Sequence, residues 1–329
     1  MPMKELRSSL MLILSVSFFL ALACSAHAQE NRTFVSAVGD DANNCRRVTP
    51  CKTFTGAITR TNSGGEIDVL DTGGFGAIFV NKPVTIDGGG FLASSLISGT
   101  NAVNVTAGQD DTVILKHLSI ASVPGTGGEL GTNGIKINTV GALFVIDCLI
   151  KNFGSNGIDF EPSTGGKLFV TDSNIVNNGT GALDAGIFVK SGSTSLTAVA
   201  VVERSRIASN RNGVVARDRS RVSISNSLIA ENRAIGLLAA PDSNASVEVN
   251  VESSIITFNG IGIRSGTCAA KGPAAVRISN VSVTSNEGAG LNHTIEGPTC
   301  GRGEIISAKN NTILGNHPDG EPTSSPGQK

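Results

Sequence analysis

Four residues carry the clearest chemical possibility in this chain: His117, Asp147, Asp172 and Arg204. Each stands three positions before an isoleucine, at Ile120, Ile150, Ile175 and Ile207. If the chain coils on itself, that frame puts the four in one column, with neighbours about 5 Å apart. Two carboxylates at such a separation, with a cation beside them, are what acid–base or nucleophilic work on a glycoside requires. The same column continues as Asn226, Ser253, Asn280 and Asn310. Asp, Asn and Ser are also the residues that tight corners select, through hydrogen bonds to their own backbone. A catalytic and a corner explanation therefore stand side by side for Asp147, Asp172 and Arg204.

Two further groupings concern recognition. Arginines cluster at 204, 206, 211, 217, 219 and 221, with Arg233 just beyond. Stacked turns would gather several of them, Arg217, Arg219 and Arg221 among them, on one side, as an acidic glycan would need. The interleaved Glu203, Asp218 and Glu231 describe a solvated, mixed-charge rim equally well. Phe144 and Phe169 lie six residues before their anchors and share an outward stripe with Ile114 and Val201. Such a stripe is a binding platform or a surface covered by a loop or a second subunit. The chain has no Trp and no Tyr, which weighs against a sugar platform. His117 and His293 have no partners at metal-ligand spacing, so no metal and no cofactor are expected.

The element that must position these residues is a short repeat. Anchors fall at Ile120, Ile150, Ile175, Ile207, Ile229, Ile256, Val283 and Ile313, and the turn from Ile207 to Ile229 takes 22 residues. Five and seven residues before each anchor the side chain is apolar, from Leu115/Val113 to Ala308/Ile306, the period-2 mark of a half-buried strand. Three residues after the last six anchors stand Asn178, Asn210, Asn232, Asn259, Asn286 and Asn316. An asparagine at one turn position can stack in a ladder, each amide bonding to the next turn. No single turn buries its own core, so turns must stack. The predicted fold is all-β, a parallel β-helix.

The Ile-x-x-Asn ladder, the Gly-apolar restart at Gly236-Leu237 and the short variable turns resemble the right-handed parallel β-helix of the pectate-lyase-like superfamily. Phe34–Asp41, with Pro50-Cys51-Lys52-Thr53-Phe54, is similar to the N-terminal cap of many such proteins. The resemblance spans roughly Phe34 to Asn316. It implies the fold, and it implies activity weakly, because the superfamily holds lyases, hydrolases, esterases and surface proteins. Pectin-esterase-like members use two aspartates and an arginine, to which Asp147, Asp172 and Arg204 would correspond. The polygalacturonase-like motif set and the pectate-lyase-like Arg-x-Pro-x-x-Arg pattern are absent.

Met1–Ala28 reads as a signal peptide, with Lys4 and Arg7, an apolar stretch and a small-x-small site at Ala26-His27-Ala28. Residues 29–65 are expected to form the cap, with one helix over Thr53–Asn62 ended by Ser63-Gly64-Gly65. Residues 66–317 form the coil, and 318–329 a disordered tail. In an oxidising compartment Cys45 would pair with Cys51 and Cys268 with Cys300, leaving Cys148 buried and inert. The net charge of −1 leaves no footprint for nucleic acid. No stable membrane span is expected in the mature chain. The expected function is an exported protein, secreted, periplasmic or on the cell surface. It would bind an extracellular or cell-wall polysaccharide or serve a structural role, with self-association through the stripe open. The alternative is a divergent polysaccharide lyase, esterase or hydrolase.

Overall fold

The computed structural model describes residues 29–266, 272–293 and 303–325. Its strands form three parallel sheets of eleven, ten and nine strands; beyond the first pair, neighbours in a sheet are three strands apart in the chain. The chain thus visits the three sheets in rotation and closes a β-helix. The anchors stand in register along the ten-stranded sheet, from Ile120 through Ile150, Ile175, Ile207, Ile229, Ile256 and Val283 to Ile313. Val113 and Leu115 stand in the matching inward columns of the eleven-stranded sheet, behind Val84 and Ile86. One apolar core runs the length of the coil, from Val35 to Ile305.

The last turn departs from the repeat. Five residues rather than four separate the strand end at Ser307, paired with Ile278, from Ile313, paired with Val283. The extra corner residue shifts the strand by one, and one step in a strand exchanges its faces. Ile305 and Ser307 therefore face inward, while Ile306 lies opposite the outward Arg277. The expectation of an inward Ile306 and Ala308 is corrected accordingly.

The asparagines do form a ladder. Asn178 donates from both backbone N and Nδ2 to Asn210 Oδ1, at 3.0 and 2.9 Å. The pattern repeats through Asn232, Asn259 and Asn286 to Asn316. All six amides are buried. The restart glycines follow from this packing: a Cβ on Gly213 would sit 2.4 Å from Gly236 O and 2.9 Å from Asn232 Nδ2. A parallel serine column supports the opposite corner, where Ser173 N donates to Ser205 Oγ, and so on to Ser254. Cys148 sits at its head, donating its backbone N to Ser173 Oγ.

At the N-terminal end, Glu30–Val35 pairs with Thr61–Val69, and Cys45 is disulfide-bonded to Cys51. The helix spans Phe54–Arg60, with the Thr53 side chain capping it and Phe54, Ala57 and Ile58 buried. It ends sooner than predicted. Thr61 is already extended and pairs with Glu30, so Ser63–Gly65 belong to the following strand. Gly65 is there for closeness, since a Cβ on it would lie 2.7 Å from Asn31 O.

The C-terminal segment also differs from the expected free end. Gly290 N and Leu291 N donate to Pro318 O and Asp319 O, and Thr323 N donates to Ile305 O. Residues 318–325 thus lie along the last turn, because its open strand edges have N–H groups to satisfy. Met1–Ala28, Cys268, Cys300 and residues 326–329 lie outside the described residues. No helix among the described residues is long and apolar enough to cross a membrane.

Candidate functional site

The predicted column is one edge of the coil, and its backbone is left-handed from His117 to Asn280. The φ angles are 57° at His117, 48° at Asp147, 52° at Asp172, 46° at Arg204, 50° at Asn226, 48° at Ser253 and 53° at Asn280. In the last turn the left-handed residue is Lys309 rather than Asn310. Asn, Asp and, to a lesser degree, His tolerate this conformation, so it accounts for much of the column's composition. It does not select Arg204.

Side chains along the edge pair across turns. Arg204 grips Asp172 in a fork, Nε to Oδ1 at 2.9 Å and Nη2 to Oδ2 at 3.0 Å. That hydrogen bonding holds the Asp172 carboxyl below the usual carboxylate range and pushes the guanidinium up. Glu203 adds a further contact to Arg204 Nη1 at 2.5 Å. Asp147 has no such clamp and its side chain is 69% exposed, with His117 Nε2 4.0 Å away. His117 Nδ1 lies 2.7 Å from Asp87 Oδ1. Burial works against the charge of Asp87, but hydrogen bonds from His117, Lys116 and Gly89 N outweigh it and keep the carboxyl low.

These residues line a shallow trough in two parts. One part, about 350 Å³, is bounded by Phe91, Leu92, His117, Asp147, Asp172 and Asn174. The other, about 600 Å³, is bounded by Asp172, Asn174, Arg204, Arg206, Asn226, Leu228, Ser253 and Ile255. Asp172 and Asn174 line both, so the trough crosses six successive corners, from His117 to Ser253.

The other predicted contact residues are not brought to this trough. Phe144 and Phe169 stack on the outer face of the eleven-stranded sheet, with centroids 4.6 Å apart and planes 10° from parallel. Their faces are spent on each other, with Ile114 and Val201 next in the column, so no flat ring face is offered to a sugar. The arginines do not gather on one side, because successive residues point to different faces and three corners intervene. Arg217 is buried and ion-paired with Asp242, and burial pushes its guanidinium down. Arg219 takes a left-handed turn at another corner, and Arg221 faces outward from the eleven-stranded sheet, 3.8 Å from Glu248. A second depression of about 520 Å³ lies on that sheet, lined by Ser223, Asn250, Arg277 and Ile306 among others.

Among the described residues one acidic group has metal-like spacing, Glu66, Asp68 and Asp87. Cations already stand in it: Arg32 pairs with Asp68, and Lys116 Nζ lies 3.5 Å from Glu66 and 2.9 Å from Asp87. Asp87 and the 44% exposed Phe91 were not identifiable from the repeat, because both precede the first anchor and Gly88–Gly90 reads as plain turn. A second, shorter amide ladder runs from Asn101 through Asn133 to Asn156, outside the frame in which an asparagine stands three residues after each anchor. The one available signal was an asparagine ahead of the glycine restart, Asn133-Gly134 and Asn156-Gly157.

A family model described as the right handed beta helix region matches residues 133–316. Among solved structures the chain is similar to a pectate lyase at 14% identity and a TM-score of 0.54, covering 85% of this chain and 68% of that one. A rhamnogalacturonan lyase matches at 13% identity and TM-score 0.43, over 84% and 82% of the two chains. The A-module of a mannuronan C-5 epimerase from Azotobacter vinelandii matches at 12% identity and TM-score 0.38, over 81% and 89%. Likeness at these identities is a likeness of fold. No curated protein matches the chain in sequence.

Proposed function

We propose that this chain, which belongs to the right-handed β-helix family, is an exported protein that binds an extracellular or cell-wall polysaccharide along the corner trough. The observation that carries the reading is the trough's continuity across six corners. Turns repeat about every 4.8 Å, so this is an extended site suited to a linear polymer rather than a small molecule. Its lining alternates charged and amide groups with the apolar Leu228 and Ile255, a mixture suited to a hydroxylated ring. The leader-like Met1–Ala28 and the Cys45–Cys51 disulfide support export.

A second reading, a divergent lyase, esterase or hydrolase, is favoured by one observation: Asp147 and Asp172 line the same depression. The Arg204 fork weighs against it, since it engages both oxygens of Asp172. The test is a screen of residues 29–329 against acidic and neutral polysaccharides, with and without calcium, recording retention and new chain ends. Retention without cleavage, weakened by salt and by Arg204→Ala, supports the binding reading. Cleavage abolished in Asp147→Ala or Asp172→Ala replaces it with the enzymatic one. Neither retention nor cleavage on any polymer sinks both, and sedimentation would then ask whether the Phe144–Phe169 stripe joins copies.

A further inference from the structure

The first turns of the coil hold an arrangement with a chemistry of its own. Asp87 is fixed from two sides, by Lys116 Nζ at 2.9 Å and by the backbone N of Gly89 at 2.8 Å. Its Oδ1 stands 2.7 Å from His117 Nδ1. An ionised carboxylate only accepts, so this contact assigns the imidazole proton to Nδ1. In the neutral imidazole Nε2 then turns its lone pair away from Asp87, toward another acceptor, Asp147 Oδ2, at 4.0 Å. Two acceptors at that distance gain nothing from one another. A cation between them satisfies both.

We propose that His117 Nε2 and Asp147 bind a divalent transition-metal ion, zinc being the fitting case, with Asp87 as the carboxylate that orients the histidine. Imidazole with carboxylate suits zinc, and a carboxylate on the other ring nitrogen fixes the tautomer and raises the ligand's basicity. Tetrahedral zinc holds its ligand atoms about 3.4 Å apart, so the gap must close by about half an ångström. Asp147, exposed and unclamped, is free to make that movement. The two residues are otherwise well placed. They occupy left-handed corners of adjacent turns, tied by a hydrogen bond from His117 N to Ile146 O at 3.0 Å. The remaining coordination positions open into the depression bounded by Phe91, Ser119 and Asn174, where water or a ligand oxygen can enter. Lys116 neutralises Asp87, which leaves Asp147 to offset one of the ion's two charges. Asp87 lies thirty residues before His117, ahead of the first anchor, so the repeat that sets His117 beside Asp147 leaves Asp87 out.

The experiment is calorimetric titration of residues 29–329 with zinc chloride near neutral pH, needing no glycan, so it stands or falls apart from the polysaccharide reading. Variants are His117→Asn, Asp147→Asn, Asp87→Asn and Glu66→Gln; asparagine is chosen at the corners because it accepts left-handed backbone. The expected result is one zinc per chain, weakened at least tenfold in His117→Asn and Asp147→Asn. Asp87→Asn should weaken it by about 10–100-fold, as loss of an orienting carboxylate does. Glu66→Gln should leave it unchanged. Absence of saturable binding overturns the proposal, as does binding that survives His117→Asn or is lost instead in Glu66→Gln.

Discussion

Asn232→Ala isolates what the buried ladder contributes. The Asn232 side chain makes four hydrogen bonds: it accepts from Asn210 N at 3.0 Å and Nδ2 at 3.2 Å, and donates to Ile207 O at 3.2 Å and Asn259 Oδ1 at 2.8 Å. Truncation does not orphan every partner. Asn210 Nδ2 keeps Ile175 O, and Asn259 Oδ1 keeps the backbone N of residue 232. Asn210 N and the Ile207 carbonyl lose this partner in a dry interior. At about 1–3 kcal/mol for each of these two groups, the expected loss is about 2–6 kcal/mol. The control is Asn177→Ala, an exposed left-handed residue (φ 56°) with one side-chain bond, to Asn152, where alanine costs about 1–2 kcal/mol. Equilibrium urea unfolding followed by circular dichroism compares midpoints and slopes. Because a solenoid can open turn by turn, hydrogen exchange at the Asn210 amide reports the local effect. An Asn232→Ala loss within about 1 kcal/mol of wild type, or no larger than that of Asn177→Ala, would refute the claim that the ladder is a fully satisfied buried network.

Other outcomes follow from the same geometry. Gly213→Ala should cost about 1–3 kcal/mol or more, because its Cβ would press on Gly236 O; an unchanged melting temperature would show that the turns can spread. Burial pushes the Cys148 thiol from 9.0 up to about 12. The folded chain therefore keeps a proton that the unfolded chain loses, so stability should fall as pH rises above about 9. Cys148→Ser, a residue already used in that column, should remove this slope, and native Cys148 should resist thiol reagents until urea is added. Asp172, held low by Arg204, favours the fold above the usual carboxylate range and loses that contribution as pH falls through its depressed value. In Arg204→Ala the Asp172 carboxyl should titrate at higher pH by NMR. Replacing Cys45 and Cys51 by serine should cost about 2 kcal/mol, as expected for so short a loop. The loss should appear first in exchange of Phe34 and Ser36, whose amides donate to Cys45 O and Cys51 O.

What the sequence determined by itself is the coil. Anchors, alternating strands and asparagines recur at fixed offsets because each turn solves the same local problem, and a repeated solution leaves a repeated pattern. Ile120 to Val283 and Asn178 to Asn316 were legible for that reason. The corner edge was legible too, as a list of residue types, although its left-handed backbone and its pairings were not. The tertiary structure alone decided which side chains meet across turns of unequal length. One extra residue in the last corner turned Ile306 outward. Thr61 entered the sheet and ended the helix early. The arginines scattered over three faces, and Arg204 rather than its neighbours closed on Asp172. The pairing of Asp87 with His117, and the facing of His117 with Asp147, depend on two turns of thirty residues matching in height. Backbone preference acts over a few residues and is written locally. Side-chain chemistry on a solenoid acts between turns, and only the stacked structure shows which residues it joins.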